Sequence, residues 1–178
     1  PEYLYNPRAV KRIWKLDRNM KFIVMLRDPV SRCFSAWNMF KGFNTCNPAQ
    51  IYETYIRFAD RAARKAGREL LFTKNFPSFR QAVEEDIGRF VHAVRVPEPS
   101  FVRRGLYAMQ ISRYLKFFGL ENFLFIEQRE LDKPSDVLRR VGSFLSVDFC
   151  DTENFPVVSS NAGTYSDIDD DVHNVLSM

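Results

Sequence analysis

The chain has 178 residues, of which 46% are hydrophobic, 27% charged and 15% aromatic. This composition is sufficient for the core of one domain, and it excludes a disordered or low-complexity chain. Lys and Arg outnumber Asp and Glu by 26 to 22, and the net charge of +4 suits an anionic partner of unspecified kind. Three cysteines, without C-x-x-C spacing, indicate neither a zinc site nor a full disulfide framework. No apolar run approaches the roughly 20 residues of a membrane-spanning helix.

The first third of the chain alternates helix and strand signals. Asn6-Pro7 is a helix start, with Asn as the N-cap and Pro in the first turn, and the amphipathic pattern continues to about Asp17. Phe22–Leu26 is apolar without alternation, which is typical of a strand covered on both faces in a parallel sheet. Asp28-Pro29 repeats the cap and proline, and the spacing of apolar residues predicts a helix that ends at Gly42.

Further elements follow in chain order. They are a helix from Asn47-Pro48 to Gly67, a helix opened by the capping box Ser78–Gln81, a helix from about Val102 to Phe118, a second buried strand at Phe123–Ile126, and a helix through Val137 and Leu145. The tail from Asp148 onward is irregular and acidic. The absence of repeats and linkers predicts one domain over residues 1–178. The basic run Arg57–Arg68 could contact a sulfated or carboxylated glycan, and a solvated helix face is the preferred interpretation.

Two buried strands are too few for a stable parallel sheet, because each needs neighbours and helices on both faces. The chain also begins at Pro1 without an initiating Met. We therefore expect the remaining strands to come from a segment upstream of Pro1 or from a partner chain.

The residues most indicative of chemistry lie where the first strand meets the following helix. Arg27 is placed at the carboxyl end of the strand, and Ser31 and Ser35 lie one turn apart on the helix. In open α/β sheets, ligands bind at this edge, where helix N-termini present backbone N–H groups to anions. Arg27 and the serines could bind a phosphate there. Alternatively, Arg27 pairs with a surface carboxylate and the serines face water, and the residues alone leave both interpretations open.

The segment Phe22–Trp37 resembles the 3′-phosphate-binding segment of sulfotransferases that use 3′-phosphoadenosine 5′-phosphosulfate (PAPS). That pattern is an apolar strand followed by R-[DN]-P-x-x-R-x-x-S-x-[WY], and every fixed position is filled. The resemblance implies that Arg27 and Ser35 bind the 3′-phosphate of PAPS. Arg32 also matches, and an ion pair on the helix surface explains it equally well.

Other segments resemble the carbohydrate, heparan-sulfate-type branch of the family in the same order along the chain. They are Pro1–Ile13, Arg104–Phe118 and Phe123–Leu145. Residues 160–165 occupy the place of the family's K-G-R-x-x-P loop, which closes over the cofactor, although Lys and Arg are missing. The resemblance implies cofactor contacts from Gly163, Thr164 and Tyr165, and a plain surface turn is the alternative.

The resemblance implies an α/β fold of the P-loop, nucleoside-kinase-like type, with a parallel sheet flanked by helices and incomplete in this chain. It implies transfer of the sulfuryl group from PAPS to a hydroxyl or amine of a carbohydrate acceptor, with no metal and no nucleic acid partner. The family's phosphosulfate loop, K-x-G-[TS]-[TS], is absent from the 178 residues. We expect that loop, its Lys and the catalytic base upstream of Pro1.

Two other functions remain open from the sequence. One is a different P-loop nucleotide-dependent phosphotransferase that uses Arg27 on an ordinary phosphate. The other is a truncated, non-catalytic fragment that binds anions or a partner chain. The expected location is the Golgi lumen for a heparan-type eukaryotic enzyme and the cytoplasm for a bacterial relative.

Overall fold

The computed structural model of the protein describes residues 2–43, 75–91 and 100–149. Its helices and strands, in chain order, are α1 (Glu2–Tyr5), α2 (Ala9–Leu16), β1 (Phe22–Leu26), α3 (Pro29–Phe43), α4 (Phe79–Val91), α5 (Tyr107–Tyr114), β2 (Phe123–Glu127) and α6 (Pro134–Leu145). Short 3-10 turns lie at Arg103–Gly105, Leu120–Asn122 and Gln128–Asp132. The predicted helix over residues 47–67 and the acidic part of the tail lie outside the described residues.

The chain forms two compact units, each built from two stretches of sequence. We call Pro1–Arg27 with Leu106–Gly163 the sheet unit, and Asp28–Gly105 with Thr164–Met178 the helix unit. The grouping of all 178 residues into one domain stays a prediction.

The sheet unit is built on β1 and β2, which pair in parallel with Phe22 opposite Phe123 and Leu26 opposite Glu127. Both predicted strands are therefore confirmed. An aromatic core covers one face of the pair: the ring of Phe22 stacks on Phe123 at 4.9 Å and meets the edge of Tyr114 at 5.4 Å. Val10 of α2 is buried in the same cluster. Aromatic pairs of this geometry stabilise a core beyond the area they bury.

The prediction that β1 is covered on both faces is wrong. Val24 is buried, whereas Ile23 and Met25, which point to the opposite face, are 42% and 53% exposed. The physical reason is that β1 has one neighbouring strand among the described residues, and α6 packs on β2. Side chains alternate across a strand, so a strand with one covered face leaves every second residue open.

The helix unit has a separate core between α3 and α4. Its buried side chains are Cys33, Phe34, Trp37, Phe79, Ala82, Val83 and Phe101. The predicted capping box opens α4: Ser78 N–H donates to Gln81 Oε1 at 2.9 Å, and Gln81 N–H donates to Ser78 Oγ at 3.3 Å. The indole N–H of Trp37 donates to the Pro77 carbonyl at 3.0 Å, which joins α3 to the chain before α4.

The predicted helix from Val102 to Phe118 is shorter in the structure. The segment starts with the 3-10 turn Arg103–Gly105, and α5 occupies only Tyr107–Tyr114. The reason is a contact with Asp86, which lies 16 residues before Val102 in the chain. The N–H groups of Val102 and Arg103 donate to its carboxylate. That contact holds the backbone before the helix in a separate turn.

Candidate functional site

Arg27 follows β1 at the carboxyl edge of the sheet unit, where the motif predicts a phosphate-binding group. Its side chain is half-buried. Among the residues that the structure describes, no hydrogen bond or ion pair to the Arg27 guanidinium is found. The alternative in which Arg27 pairs with a surface carboxylate therefore has no support in these residues.

The carboxylate expected closest to Arg27 in the sheet unit is that of Glu127, because Glu127 pairs in register with Leu26. Glu127 instead forms an ion pair with Arg129, with 2.5 Å between Oε2 and Nε. Its side chain also accepts the backbone N–H of Glu130. Because these contacts engage Glu127, it does not neutralise Arg27.

The carboxyl end of β2 carries an ionic cluster that the sequence analysis did not single out. Glu130 accepts the backbone N–H of Glu127 at 2.7 Å and a hydrogen bond from Arg140. Arg140 also donates to the Phe125 carbonyl at 2.8 Å. The N–H of Glu127, followed by Arg140, lowers the pKa of Glu130 below its ordinary value.

The first turn of α3 begins the helix unit, and Asp28 caps it as predicted. Ser31 N–H donates to Asp28 Oδ1 at 2.7 Å, and Arg32 N–H donates to the Asp28 carbonyl at 2.9 Å. Pro29 has no N–H group to donate. In the first turn, the N–H of Val30 is therefore the one backbone donor for which the described residues provide no acceptor. Among the described residues, the Val30 N–H is therefore the backbone donor of this turn that remains for an anion, because the Ser31 N–H is donated to the Asp28 carboxylate and the Arg32 N–H makes the first intrahelical bond.

Ser35 lies on α3 in the helix unit and is half-buried. The hydroxyl groups of Ser35 and Ser31 have no hydrogen-bond partner among the described residues. Each can donate one hydrogen bond to an anion. In addition to the Val30 N–H, α3 thus offers the hydroxyl groups of Ser31 and Ser35 as donors without a partner among the described residues.

Arg32 makes a contact inside the helix unit, and the surface ion pair considered from the sequence stays a prediction. Its guanidinium donates to the Phe101 carbonyl. The same turn approaches α3 at Gly105, where an added Cβ would lie 3.3 Å from the Cβ of Pro29. Arg32 therefore joins α3 to residues 101–105, which is a structural role.

Asp86 on α4 is the second anchor of that turn, and no pattern in the sequence indicates it. It is 2% exposed, and its Oδ2 accepts the N–H groups of Val102 at 2.7 Å and Arg103 at 3.4 Å. The neighbouring thiol of Cys33 is also buried, and burial raises its pKa to about 12, with Arg32 opposing and Asp86 adding to the shift. Cys33 is therefore a protonated core residue near neutral pH.

The other predicted site residues, Gly163, Thr164 and Tyr165, lie outside the described residues. Within residues 2–43, 75–91 and 100–149, no group of three or more His, Cys, Asp or Glu residues could hold a metal ion. No helix in these ranges has the length and apolar character needed to cross a membrane.

The chain is similar to known proteins both in fold and in sequence. A sulfotransferase from Alicyclobacillus acidocaldarius superimposes on 99% of the chain with a TM-score of 0.62 and 25% identity. The chain is therefore similar to sulfotransferases in sequence and in fold. The structural match confirms the predicted α/β fold of the P-loop-like type.

Two other sulfotransferases are similar to the chain in sequence. The chain is 24% identical over 87% of its length to the membrane-associated sulfotransferase kil1 of Dictyostelium discoideum. It is 25% identical over 92% of its length to heparan sulfate glucosamine 3-O-sulfotransferase 6 of Mus musculus. It spans 43% and 41% of these two proteins and 56% of the bacterial enzyme. No protein-family model matches the chain.

Proposed function

We propose that this chain takes part in transferring the sulfuryl group of PAPS to a hydroxyl or amine of a carbohydrate. We further propose that Arg27 and Ser35 bind the 3′-phosphate of the nucleotide. The observation that carries the proposal is the half-buried guanidinium of Arg27, which follows β1 without a partner among the described residues. A partly desolvated cation is stabilised by an anion, and the surrounding motif specifies a phosphate.

The donors that are available fit a phosphate. Arg27 offers a planar fork of N–H groups that can bind two phosphate oxygens at once. Ser35 offers a hydroxyl, and both groups lack a partner among the described residues. When bound, PAPS supplies the activated sulfuryl group and leaves as adenosine 3′,5′-bisphosphate.

The proposed role of Arg27 and Ser35 is to bind and orient. A 3′-phosphate lies on the far side of the nucleotide from a 5′-phosphosulfate, so these residues hold the donor without touching the reacting atoms. Binding energy from a remote group can fix a reactant in the geometry of in-line displacement. A donor without the 3′-phosphate would leave the Arg27 guanidinium unpaired, which gives selectivity.

The names of the relatives support a carbohydrate acceptor, since one of them is a heparan sulfate sulfotransferase. Because the chain spans less than half of that relative, the acceptor of the whole protein is part of this proposal. Contacts from Gly163, Thr164 and Tyr165 to the nucleotide are proposed from the family resemblance alone. The phosphosulfate-loop Lys, the base, the segment or partner chain that completes the sheet, and a Golgi or cytoplasmic location stay predictions.

Calorimetric titration with three nucleotides tests the phosphate site. Wild type should bind adenosine 3′,5′-bisphosphate at least about tenfold more tightly than adenosine 5′-phosphate, which differs only by the 3′-phosphate. Arg27→Ala should remove this preference, with a loss of about 10- to 100-fold for the bisphosphate. Ser35→Ala should weaken binding less, by about 3- to 10-fold, because one neutral donor is lost.

Arg139→Ala is the matched control, because Arg139 is exposed and pairs with Asp136 at 2.5 Å. It should bind all three nucleotides as wild type does. Tighter binding of ADP than of the 3′,5′-bisphosphate would contradict the proposal and favour an ordinary P-loop phosphotransferase. Equal binding of all anions in wild type and Arg27→Ala would contradict it in favour of non-specific anion binding.

A further inference from the structure

The solvent side of α2 presents a row of cations that neither the family motif nor the proposed phosphate site uses. We define the basic stripe as Arg8, Lys11, Arg12 and Lys15, all of which are exposed. The opposite side of α2 carries Val10, which is buried in the core of the sheet unit. Residues three or four apart share a helix face, so the four cations form one continuous surface.

Carboxylates in the described part of the chain do not neutralise the cations of the basic stripe. Among the described residues, no carboxylate forms an ion pair or hydrogen bond with any of its four side chains. Other exposed arginines differ in this respect, because Arg80 pairs with Glu84 and Arg89 pairs with Glu85 one turn away. The positive charge of α2 is therefore available to an external anion.

The arrangement is also unfavourable for the helix itself. The pairs Arg8–Lys11, Arg8–Arg12, Lys11–Lys15 and Arg12–Lys15 are one turn apart, and like charges at this spacing destabilise a helix. Arg8 lies at the N-terminus, where the helix dipole favours negative charge, and the first turn contains no acidic residue. A bound polyanion would relieve both effects at once.

We propose that the basic stripe binds a linear anionic polysaccharide that carries sulfate or carboxylate groups along its length. The stripe is about 10 Å long from Arg8 to Lys15, so it spans charges on successive sugar units. The choice of a carbohydrate polymer rests on the proposed function, whereas the charge of the ligand rests on the stripe alone.

Other polyanions fit this face less well. A helix that lies in a membrane surface inserts its apolar side, but the apolar side of α2 is occupied by the protein core. Single-stranded nucleic acid is bound by aromatic rings on which bases stack. Trp14, the aromatic residue of α2, packs against Phe117 and is covered by Arg18 at 4.4 Å.

The test compares two variants with equal charge. The stripe variant is Lys11→Gln/Arg12→Gln/Lys15→Gln, and the control is Arg80→Gln/Arg89→Gln/Arg139→Gln, whose arginines all have carboxylate partners. Each variant removes three positive charges, which lowers the net charge from +4 to +1. The ligand is a heparin oligosaccharide of defined length, titrated at several salt concentrations.

The stripe variant should bind the oligosaccharide about tenfold more weakly than wild type, with a shallower salt dependence, and the control should lose less than about twofold. Equal losses in the two variants would overturn the proposal, because net charge alone would then explain binding. Tighter stripe-dependent binding of phosphatidylserine vesicles or of a single-stranded oligonucleotide would overturn the choice of a polysaccharide. Thermal melting should show the stripe variant at least as stable as wild type.

Titration with adenosine 3′,5′-bisphosphate separates this inference from the proposed function. The stripe variant should bind the bisphosphate as wild type does. If wild type fails to prefer the bisphosphate, the proposed function fails and the oligosaccharide result still stands. If the stripe variant binds the oligosaccharide as wild type does, the stripe proposal fails and the phosphate site is unaffected.

Discussion

The sheet unit and the helix unit both carry exposed ion pairs, and they differ in the carboxylate that is buried in the helix unit. In the sheet unit, ion pairs such as Arg139–Asp136 and Arg140–Glu130 lie at the surface around an aromatic core. In the helix unit, Asp86 and Ser100 are 2% exposed, and the Asp86 carboxyl group accepts backbone N–H groups of the turn after α4. The helix unit therefore contains a buried carboxylate that anchors backbone, in addition to its apolar core.

This difference separates the two kinds of candidate site. Arg27 and the basic stripe of the sheet unit are cations for which the described residues show no partner, which makes them available to ligands. The buried groups of the helix unit are engaged inside the fold, where they fix backbone. Substitution of one of these cations in the sheet unit should therefore affect binding, and substitution of a buried anchor in the helix unit should affect stability.

Asp86→Ala should have the largest effect on stability. The substitution leaves the N–H groups of Val102 and Arg103 without their acceptor, and we expect a loss of about 3–5 kcal/mol in the free energy of unfolding. Asp86→Asn keeps one acceptor oxygen and should lose less. The measurement is a denaturant titration of each variant.

Glu84→Ala and Glu85→Ala are the matched controls for Asp86, because they lie on the same helix in exposed ion pairs with Arg80 and Arg89. Each should change the free energy of unfolding by about 0.5 kcal/mol or less. If Asp86→Ala lowered the free energy of unfolding no more than the controls do, the buried Asp86 carboxylate would not be a stabilising feature of the helix unit.

Cys33→Ala tests the helix unit through pH. Burial raises the pKa of the Cys33 thiol from 9.0 to about 12, so the folded chain retains a proton that the unfolded chain releases. The stability that comes from this difference is fully present below pH 9 and is lost as the pH rises toward 12. Between these values, wild type should lose about 1.4 kcal/mol per pH unit relative to Cys33→Ala. Parallel stability curves in urea from pH 8 to 11 would contradict the assignment.

The sequence predicted elements whose cause is local. Asp28 and Ser78 begin helices because each side chain caps an N–H three residues away, and the apolar runs at β1 and β2 require burial. The prediction was wrong where the cause is distant. Ile23 and Met25 are exposed because burial depends on what lies over the strand, and the helix after Val102 is interrupted by Asp86.

In the candidate site too, the sequence indicates some residues, whereas contacts between residues distant along the chain are evident only from the structure. Arg27 and Ser35 were predicted from the spacing of a motif, and the structure adds that neither has a partner among the described residues. The contact of Arg32 with the Phe101 carbonyl joins residues 69 positions apart, and no pattern in the sequence indicates it. The sequence analysis did not single out the basic stripe, and the lack of acidic partners among the described residues is evident only from the fold.

Glu130→Gln tests the surface ion cluster of the sheet unit and should have the smallest effect. The N–H of Glu127, followed by Arg140, lowers the pKa of Glu130, so the folded chain favours the charged carboxylate. Its contribution to stability is present above the ordinary pKa of 4.5 and is lost as the pH falls below it. The melting temperature of wild type should therefore exceed that of Glu130→Gln slightly at pH 7 and match it near pH 3. If the difference in melting temperature were the same at both pH values, the packing of the Glu130 side chain, rather than its charge, would stabilise this end of β2. Glu130 would then stabilise the sheet unit by fixing backbone, as Asp86 does in the helix unit.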